Sequence, residues 1–175
     1  MDVMTDLICE TIETPIGDLV LIADGTGALR MAEFADCRHR MDRWFSRRLG
    51  SGRLVEGKVP EAITAAFAAY FDGDLAALGR IPVELDGTAF QNEVWSALRQ
   101  ITPGRTFAYG AFAERLGRPQ SARAVGHANG ANPLSIVVPC HRLVGADGAL
   151  TNYGGGIERK RWLLEHEARH AARPA

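Results

Sequence analysis

Tyr109-Gly110-Ala111-Phe112-Ala113-Glu114-Arg115-Leu116-Gly117-Arg118-Pro119-Gln120-Ser121-Ala122-Arg123-Ala124-Val125-Gly126 decides the fold of the second half of this chain. Tyr109, Phe112, Ala113 and Leu116 recur at helical spacing, and Gly117 is a residue that closes a helix without strain. After Arg118-Pro119 a further helix is predicted over roughly Ser121 to Gly130. Helix, short glycine-containing turn, helix is the pattern of a helix-turn-helix. The second of these helices is slim, because Ala122, Ala124, Gly126, Ala128 and Gly130 give it almost no side-chain bulk. Glycine weakens a helix, so some close approach compensates, either against the protein's own core or against a groove of DNA. Arg123 lies well round this helix from Val125 and points outward if Val125 points inward.

Working outward, Thr88-Ala89-Phe90-Gln91 is a capping box that opens a helix with Phe90, Val94, Ala97, Leu98 and Ile101 as its buried stripe. On the other side, Ile136-Val137-Val138 reads as a short buried strand, and Pro139 stiffens its exit. Cys140-His141-Arg142 follows, a thiol beside an imidazole and a guanidinium. A free thiol ionises above neutral pH, and such neighbours bring it into a reactive range; the alternative is a buried cysteine that only packs. Consecutive extended residues point to opposite faces, so direct contact of Cys140 with His141 is not assured. Beyond them, Asp147-Gly148 predicts a tight hairpin turn, and Tyr153-Gly154-Gly155-Gly156 a backbone that approaches a flat ligand closely. A last helix is predicted over about Ile157 to His170, where Glu167 shares a face with Leu163 and Leu164. A carboxylate on a buried face needs a partner, and His141, Arg142 and Arg159 are the candidates.

The first half reads differently. Leu7 to Glu13, Leu19 to Ala23 and Ala28 to Phe34 are predicted strands of a small antiparallel sheet, separated by turn residues. Two helices follow, one burying Met41, Trp44, Phe45 and Leu49, the other beginning at Pro60 and burying Ile63, Ala66, Phe67 and Tyr70. Gly73 to Gly87 reads as a connector. The expected fold is therefore α/β: an N-terminal support domain over residues 1–86, with a small antiparallel sheet and helices, and a mostly helical domain over 87–175 that contains the helix-turn-helix.

Charge separates the same halves. Residues 99–175 hold 11 Lys/Arg against 5 Asp/Glu, a net +6, whereas residues 1–98 hold 9 against 16, a net −7. A basic half is compatible with a phosphate backbone, and equally with a solvated surface. No long apolar stretch follows the acidic first residues, so neither a signal peptide nor a membrane span is expected. Three cysteines, Cys9, Cys37 and Cys140, have no pairing logic and suit a reducing, cytoplasmic compartment. Cys37 and His39 are close in sequence, but no second pair stands at zinc-ligand spacing, so no metal is expected.

Phe90-Gln91 with Val94-Trp95, Tyr109-Gly110, Ala122-Arg123-Ala124-Val125-Gly126, Asn132-Pro133, Pro139-Cys140-His141-Arg142, and Tyr153-Gly154-Gly155-Gly156 before Leu163-Leu164-Glu165-His166-Glu167 together resemble the O6-alkylguanine-DNA alkyltransferases, or methylated-DNA:protein-cysteine methyltransferases. The resemblance covers Phe90 to Glu167. Thr14-Pro15-Ile16-Gly17 and the strands after it extend it weakly into the first half.

The resemblance implies that Cys140 accepts the alkyl group from O6 of a guanine rotated out of double-stranded DNA. In the family a water links that cysteine to the next histidine, here His141, which a glutamate on the last helix, here Glu167, orients. Arg123 corresponds to the residue that fills the gap left by the base, and Ala122, Ala124, Gly126 and Asn129 to its companions on DNA. Tyr109 matches the hydroxyl that donates to the departing guanine, and Asn132 the residue that holds the active-site turn. Tyr153, Gly154 and Gly155 match the loop over the base, and the backbone of Cys140 and Leu143 would read its amine. The product is a thioether, no cofactor is implied, and the protein is consumed as a monomer. Rival readings are a cysteine hydrolase, which needs turnover and an oxyanion hole, and a helix-turn-helix lesion sensor without chemistry.

Overall fold

The alternating segments of the first third pair as strands in the computed structural model, which describes residues 6–171. β1 (Asp6–Ile12) lies antiparallel to β2 (Leu19–Ala23), and β2 antiparallel to β3 (Leu29–Phe34). α1 (Arg38–Trp44) follows and continues into a π-helical turn at Phe45–Leu49. Trp44 buries against Leu7, Ile22 and Met31, with Met41, Phe45 and Leu49 packed on the same cluster, the face that the periodicity predicts. β4 (Arg53–Glu56) then runs parallel to β1, giving the order β3-β2-β1-β4. The sheet is therefore mixed, where the sequence predicts a wholly antiparallel one. Largely exposed, β4 carries no burial pattern to announce it, and backbone pairing alone makes it a strand. α2 (Glu61–Phe71) starts behind Pro60 and buries Ile63, Phe67 and Tyr70.

β3 is an edge strand whose free edge is closed twice. The N–H of Leu29 donates to the carbonyl of Pro82 at 2.8 Å, and that of Glu84 returns to Leu29 at 3.0 Å. Farther along, the N–H of Ala32 donates to Pro133 and that of Ser135 to Ala32, both at 2.9 Å. Both bridges satisfy groups that would otherwise template another strand. As a result the chain forms two compact units, one made of the residues up to Asp86 together with Pro133–Val137, the other running from Gly87 to Asn132 and resuming at Val138. The division at residues 86 and 87 does not foresee this excursion, because a long-range backbone pairing leaves no local pattern.

Ile136-Val137-Val138 is not the strand that its apolar character predicts. The N–H of Val137 donates to Ser135 at 2.9 Å, folding a three-residue turn about Ile136, whose φ is 71°. Left-handed backbone at a β-branched residue costs about 1–3 kcal/mol and persists only where its surroundings hold it. Leu134, Ser135, Ile136 and Val137 are all buried. A second such turn, with the N–H of Cys140 on the carbonyl of Val138 at 2.8 Å, centres on Pro139 at φ −80° and ψ 65°. An apolar run of this length fits a buried turn as well as a buried strand.

In the second unit, α3 (Ala89–Leu98) begins with the expected capping box: Thr88 Oγ1 accepts from the N–H of Gln91 at 3.2 Å, and Gln91 Oε1 from that of Thr88 at 3.0 Å. Its buried face is Val94, Trp95 and Leu98, rotated from the expected stripe, with Phe90 and Ala97 only half-buried. Trp95 can enter the core because its indole N–H donates to the carbonyl of Ala128 at 2.8 Å. Gly87 makes room for that ring, since a Cβ there would stand 2.5 Å from it. β5 (Phe107–Ala108) leads directly into α4 (Tyr109–Arg115), and α5 (Ala122–Gly130) follows the turn that Gly117 opens at φ 72°. After a 3-10 turn over Cys140–Arg142, β6 (Leu143–Val144) pairs in parallel with β5. Asp147-Gly148 does form a turn, closed by the N–H of Gly145 on the carbonyl of Ala149 at 2.8 Å, but no strand pairs across it among the described residues, so it is not a hairpin. α6 (Ile157–Ala171) completes the unit.

Candidate active site and nucleic-acid interface

Four residues of β5 and β6 assemble the site. Phe107 registers in parallel with Leu143 and Ala108 with Val144, which sets Tyr109, the first residue of α4, beside the end of the strand that follows the Cys140 turn. Burial raises the Tyr109 hydroxyl above the ordinary phenol range; hydrogen bonds with Thr151 and Asn129 oppose this, and charge on Cys140 adds to it. Tyr109, Asn129, Cys140 and Thr151 therefore share one environment.

Cys140 is 4% exposed and starts a 3-10 turn, not the extended segment in which neighbours face opposite ways. Two asparagines grip the backbone around it. Asn132 Nδ2 donates to the carbonyl of Val138 at 2.8 Å, and Asn129 Nδ2 to that of Cys140 at 3.2 Å. The first contact ties Asn132, for which the resemblance implies a turn-holding role, to the carbonyl two residues before Cys140. The second corrects Asn129: expected among the DNA-facing residues, it is 3% exposed on the inner face of α5. Asn129 follows Val125 by four residues, and that spacing carries the signal.

Behind the cysteine lies a buried triad of charge. Glu167 Oε1 stands 2.7 Å from His141 Nε2 and 2.8 Å from Arg142 Nη2, while Oε2 accepts from Arg142 Nε at 2.9 Å. Arg142 also donates from Nη1 to the carbonyl of Ile101 at 2.7 Å. Burial pushes the Glu167 carboxyl up, but the charges and hydrogen bonds of His141 and Arg142 outweigh it and hold it well below the usual carboxylate range. Burial holds His141 below the usual imidazole range against the opposing pull of Glu167, and the charges of Arg142 and Lys160 lower it further. A neutral imidazole facing an anionic carboxylate donates from Nε2, which leaves Nδ1 as an acceptor. Buried Nδ1 has no hydrogen-bond partner among the described residues.

Lys160 is the residue that sequence reasoning misses. Fully buried on α6, three residues before Leu163 and seven before Glu167, it donates from Nζ to the carbonyls of Leu143 at 2.6 Å and Thr151 at 2.7 Å. Burial lowers its ammonium, and charge on Cys140 opposes this. Its place in the helical period is readable, but residue type argues the other way, because lysine is normally solvated. Nearby, Tyr153 presents its ring edge to His141 at 6.4 Å, and Arg159 closes the glycine loop with a bond from Nη1 to the carbonyl of Gly155 at 3.1 Å.

On the opposite face of α5, Arg123 and Ala124 are exposed and Ala122 and Gly126 half-exposed, while Val125 and Ala128 are buried. Arg123 points outward, as the period predicts. A Cβ on Gly126 would meet nothing closer than Tyr109 Cδ1 at 3.9 Å, and one on Gly130 nothing within 4 Å. Packing within this unit thus does not require glycine at either position.

Residues 89–169 match the family described as 6-O-methylguanine DNA methyltransferase, DNA binding domain, and residues 7–85 match 6-O-methylguanine DNA methyltransferase, ribonuclease-like domain. The methylated-DNA–protein-cysteine methyltransferase of Salmonella typhimurium is 47% identical over 167 residues, spanning 94% of this chain and 97% of the relative. This chain belongs to the methylated-DNA–protein-cysteine methyltransferase family. The Shigella flexneri methylated-DNA–protein-cysteine methyltransferase is 44% identical over the same shares of the two chains. Among solved structures, Mycobacterium tuberculosis O6-methylguanine methyltransferase superposes with a TM-score of 0.78 at 39% identity, covering 98% of this chain and 96% of that one. A structure of the M. tuberculosis protein in complex with DNA gives 0.75 at 38% identity, covering 94% of each. Among the described residues, no helix of this family member is long and apolar enough to cross a membrane.

Proposed function

We propose that Cys140 is the methyl acceptor and that His141, Glu167, Arg142 and Tyr109 serve its chemistry. The family's activity is this chain's activity: it repairs DNA by moving the methyl group of O6-methylguanine onto a protein cysteine. The observation that carries the choice of cysteine is the buried set Glu167, His141 and Arg142 behind Cys140, with His141 Nδ1 unpartnered among the described residues. Burial and the charge of Glu56 push the Cys9 thiol up, away from reactivity.

In this reading the Cys140 proton passes through a water to His141 Nδ1. Glu167, kept anionic by Arg142, stabilises the imidazolium that results. The sulfur attacks the methyl carbon in line with the C–O6 bond, the S–C bond forms, and the electron pair of the broken bond leaves on the guanine oxygen. Tyr109 donates its hydroxyl proton to a hydrogen bond with the guanine ring as that charge develops. The thioether product is stable, because breaking its S–C bond would expel a thiolate from an unactivated methyl carbon, so each molecule acts once. The transfer itself calls for no cofactor.

The stacked base does not present its methyl carbon to a buried thiol, so the nucleotide must leave double-stranded DNA. Arg123, on the exposed and slim face of α5, is suited to occupy the gap, because Ala122, Ala124 and Gly126 let the helix approach a narrow groove. The freedom of Gly126 and Gly130 from packing demands supports a groove over the protein's own core as the reason for their size.

Intact-mass measurement after mixing with duplex DNA carrying O6-methylguanine tests this. A gain of one methylene that peptide mapping assigns to Cys140, lost in Cys140→Ser with DNA affinity retained, is the expected outcome. Label on Cys9 or Cys37 overturns the assignment. A salt titration of DNA affinity should show a modest slope, since a +6 half neutralises few phosphates.

A further inference from the structure

Glu33 is a carboxylate in the middle of β3 and is 2% exposed. Burying a charge is costly unless it is paired and hydrogen-bonded, and Glu33 is both. Oε2 accepts from Arg40 Nε of α1 at 2.7 Å, while Oε1 accepts from the N–H of Phe34 at 3.0 Å and faces the Ser135 hydroxyl at 3.4 Å. Ser135 is itself 2% exposed, and its N–H is already bound to Ala32. The edge of β3 does not need a charged group for closure, because the Leu29 bridge to Val83 is made by backbone alone. At Ala32 the same backbone bridge is supplemented by a buried ion pair.

The residue after Ser135 explains the difference. Ile136 holds a left-handed φ, a conformation that relaxes unless the chain is fastened on both sides. On its C-terminal side, Asn132 Nδ2 and the N–H of Cys140 both grip the carbonyl of Val138. On its N-terminal side, Ala32 and Glu33 hold Ser135. We propose that Glu33, fixed by Arg40, is a positioning residue for methyl transfer: it pins Ser135 so that the strained turn at Ile136 delivers Cys140 in one orientation. The inference rests on Cys140 being the acceptor. A thiol must meet the methyl carbon in line, and small misplacements of a reacting atom lower the rate steeply.

The test is single-turnover alkylation by free O6-benzylguanine, followed by intact mass across a range of concentrations, with melting by circular dichroism to count folded molecules. Glu33→Gln and Ser135→Ala should each lower the saturating rate per folded molecule by about three- to ten-fold. The half-saturating concentration should stay within about two-fold, because neither side chain is among those that the resemblance implies touch the guanine. The double variant should be no slower than the slower single one, as expected of two groups acting on one fastening. A purely stabilising role would move the melting temperature and leave the saturating rate untouched, and that result overturns the proposal, as do effects that multiply in the double variant. If Glu33→Gln does not fold, Ser135→Ala decides by the same two readouts. Wild-type label on a cysteine other than Cys140 overturns the acceptor assignment and this inference together; label on Cys140 with unchanged rates in the variants overturns this inference alone.

Discussion

Arg142 grips both oxygens of Glu167, Nη2 on Oε1 at 2.8 Å and Nε on Oε2 at 2.9 Å, inside a buried site. That fork decides the protonation of its neighbours. A carboxylate neutralised by a guanidinium has no reason to take a proton, so neutral His141 donates in the 2.7 Å contact and its far nitrogen is left as an acceptor. By sequence, His141 and Arg142 compete as partners for Glu167, and the structure uses both, one for each task.

Glu167→Gln is expected to slow alkylation at neutral pH and to move its pH profile upward, since a neutral amide no longer stabilises the imidazolium. Loss of one member of a buried charge set should also cost about 3 kcal/mol of stability. Single-turnover rates against pH, with circular dichroism to confirm folding, check both. Identical profiles in two folded proteins would leave Glu167 as a structural ion-pair partner only.

Stability should fall on acidification in two stages. His141 has a folded pKa below its unfolded one, so its contribution is whole above the ordinary imidazole range, about pH 6.5, and is lost as the unfolded state gains a proton that the folded state refuses. Glu167 is also depressed; its contribution is present above the ordinary carboxylate range, about pH 4.3, and is lost as pH falls toward the lower folded value. Urea midpoints measured from pH 8 to pH 3 should decline through both windows. A flat profile across the first would mean that His141 is charged in the folded protein.

Lys160→Met keeps an unbranched side chain, one atom shorter, and removes its donors, leaving the carbonyls of Leu143 and Thr151 without theirs, at about 1–3 kcal/mol each. The family resemblance implies a guanine contact for the backbone of Leu143 and for the loop at Tyr153, two residues after Thr151. The half-saturating concentration of free O6-benzylguanine should therefore rise along with the loss in melting temperature. A lower melting temperature with unaltered kinetics would confine Lys160 to the fold.

Arg123→Ala should slow repair of duplex DNA on the order of ten-fold while sparing the reaction with the free base, because only the duplex has a gap to fill. Parallel single-turnover assays on the two substrates read this directly. Equal slowing of both would assign Arg123 to the protein's own packing.

Whatever depends on local period is legible in the chain itself. The capping box at Thr88 and Gln91, the outward face of Arg123, and the shared face of Leu163 and Glu167 all follow from 3.6 residues per turn and the chemistry of helix ends. The same rule points to Lys160 and to the buried side of Asn129, where residue type misleads: lysine and asparagine are ordinarily solvated, and only saturating partners make their burial tolerable.

Tertiary structure alone decided what depends on distant backbone. β4 is a strand because β1 offers it an edge, and Pro133–Val137 joins the first unit because Ala32 presents an otherwise unpaired N–H and carbonyl far away in sequence. Ile136 adopts a conformation that its own side chain disfavours, which no local preference can foretell, because the free energy that maintains it comes from contacts made by its neighbours. The helices, the Cys140-His141-Arg142 tripeptide and the family resemblance are readable in the chain alone, since each is written in short-range spacing. The orientation of that cysteine, the sharing of Glu167 between His141 and Arg142, and the fastening of the turn before it were decided by the tertiary fold, since buried polar groups find their partners only when remote segments close around them.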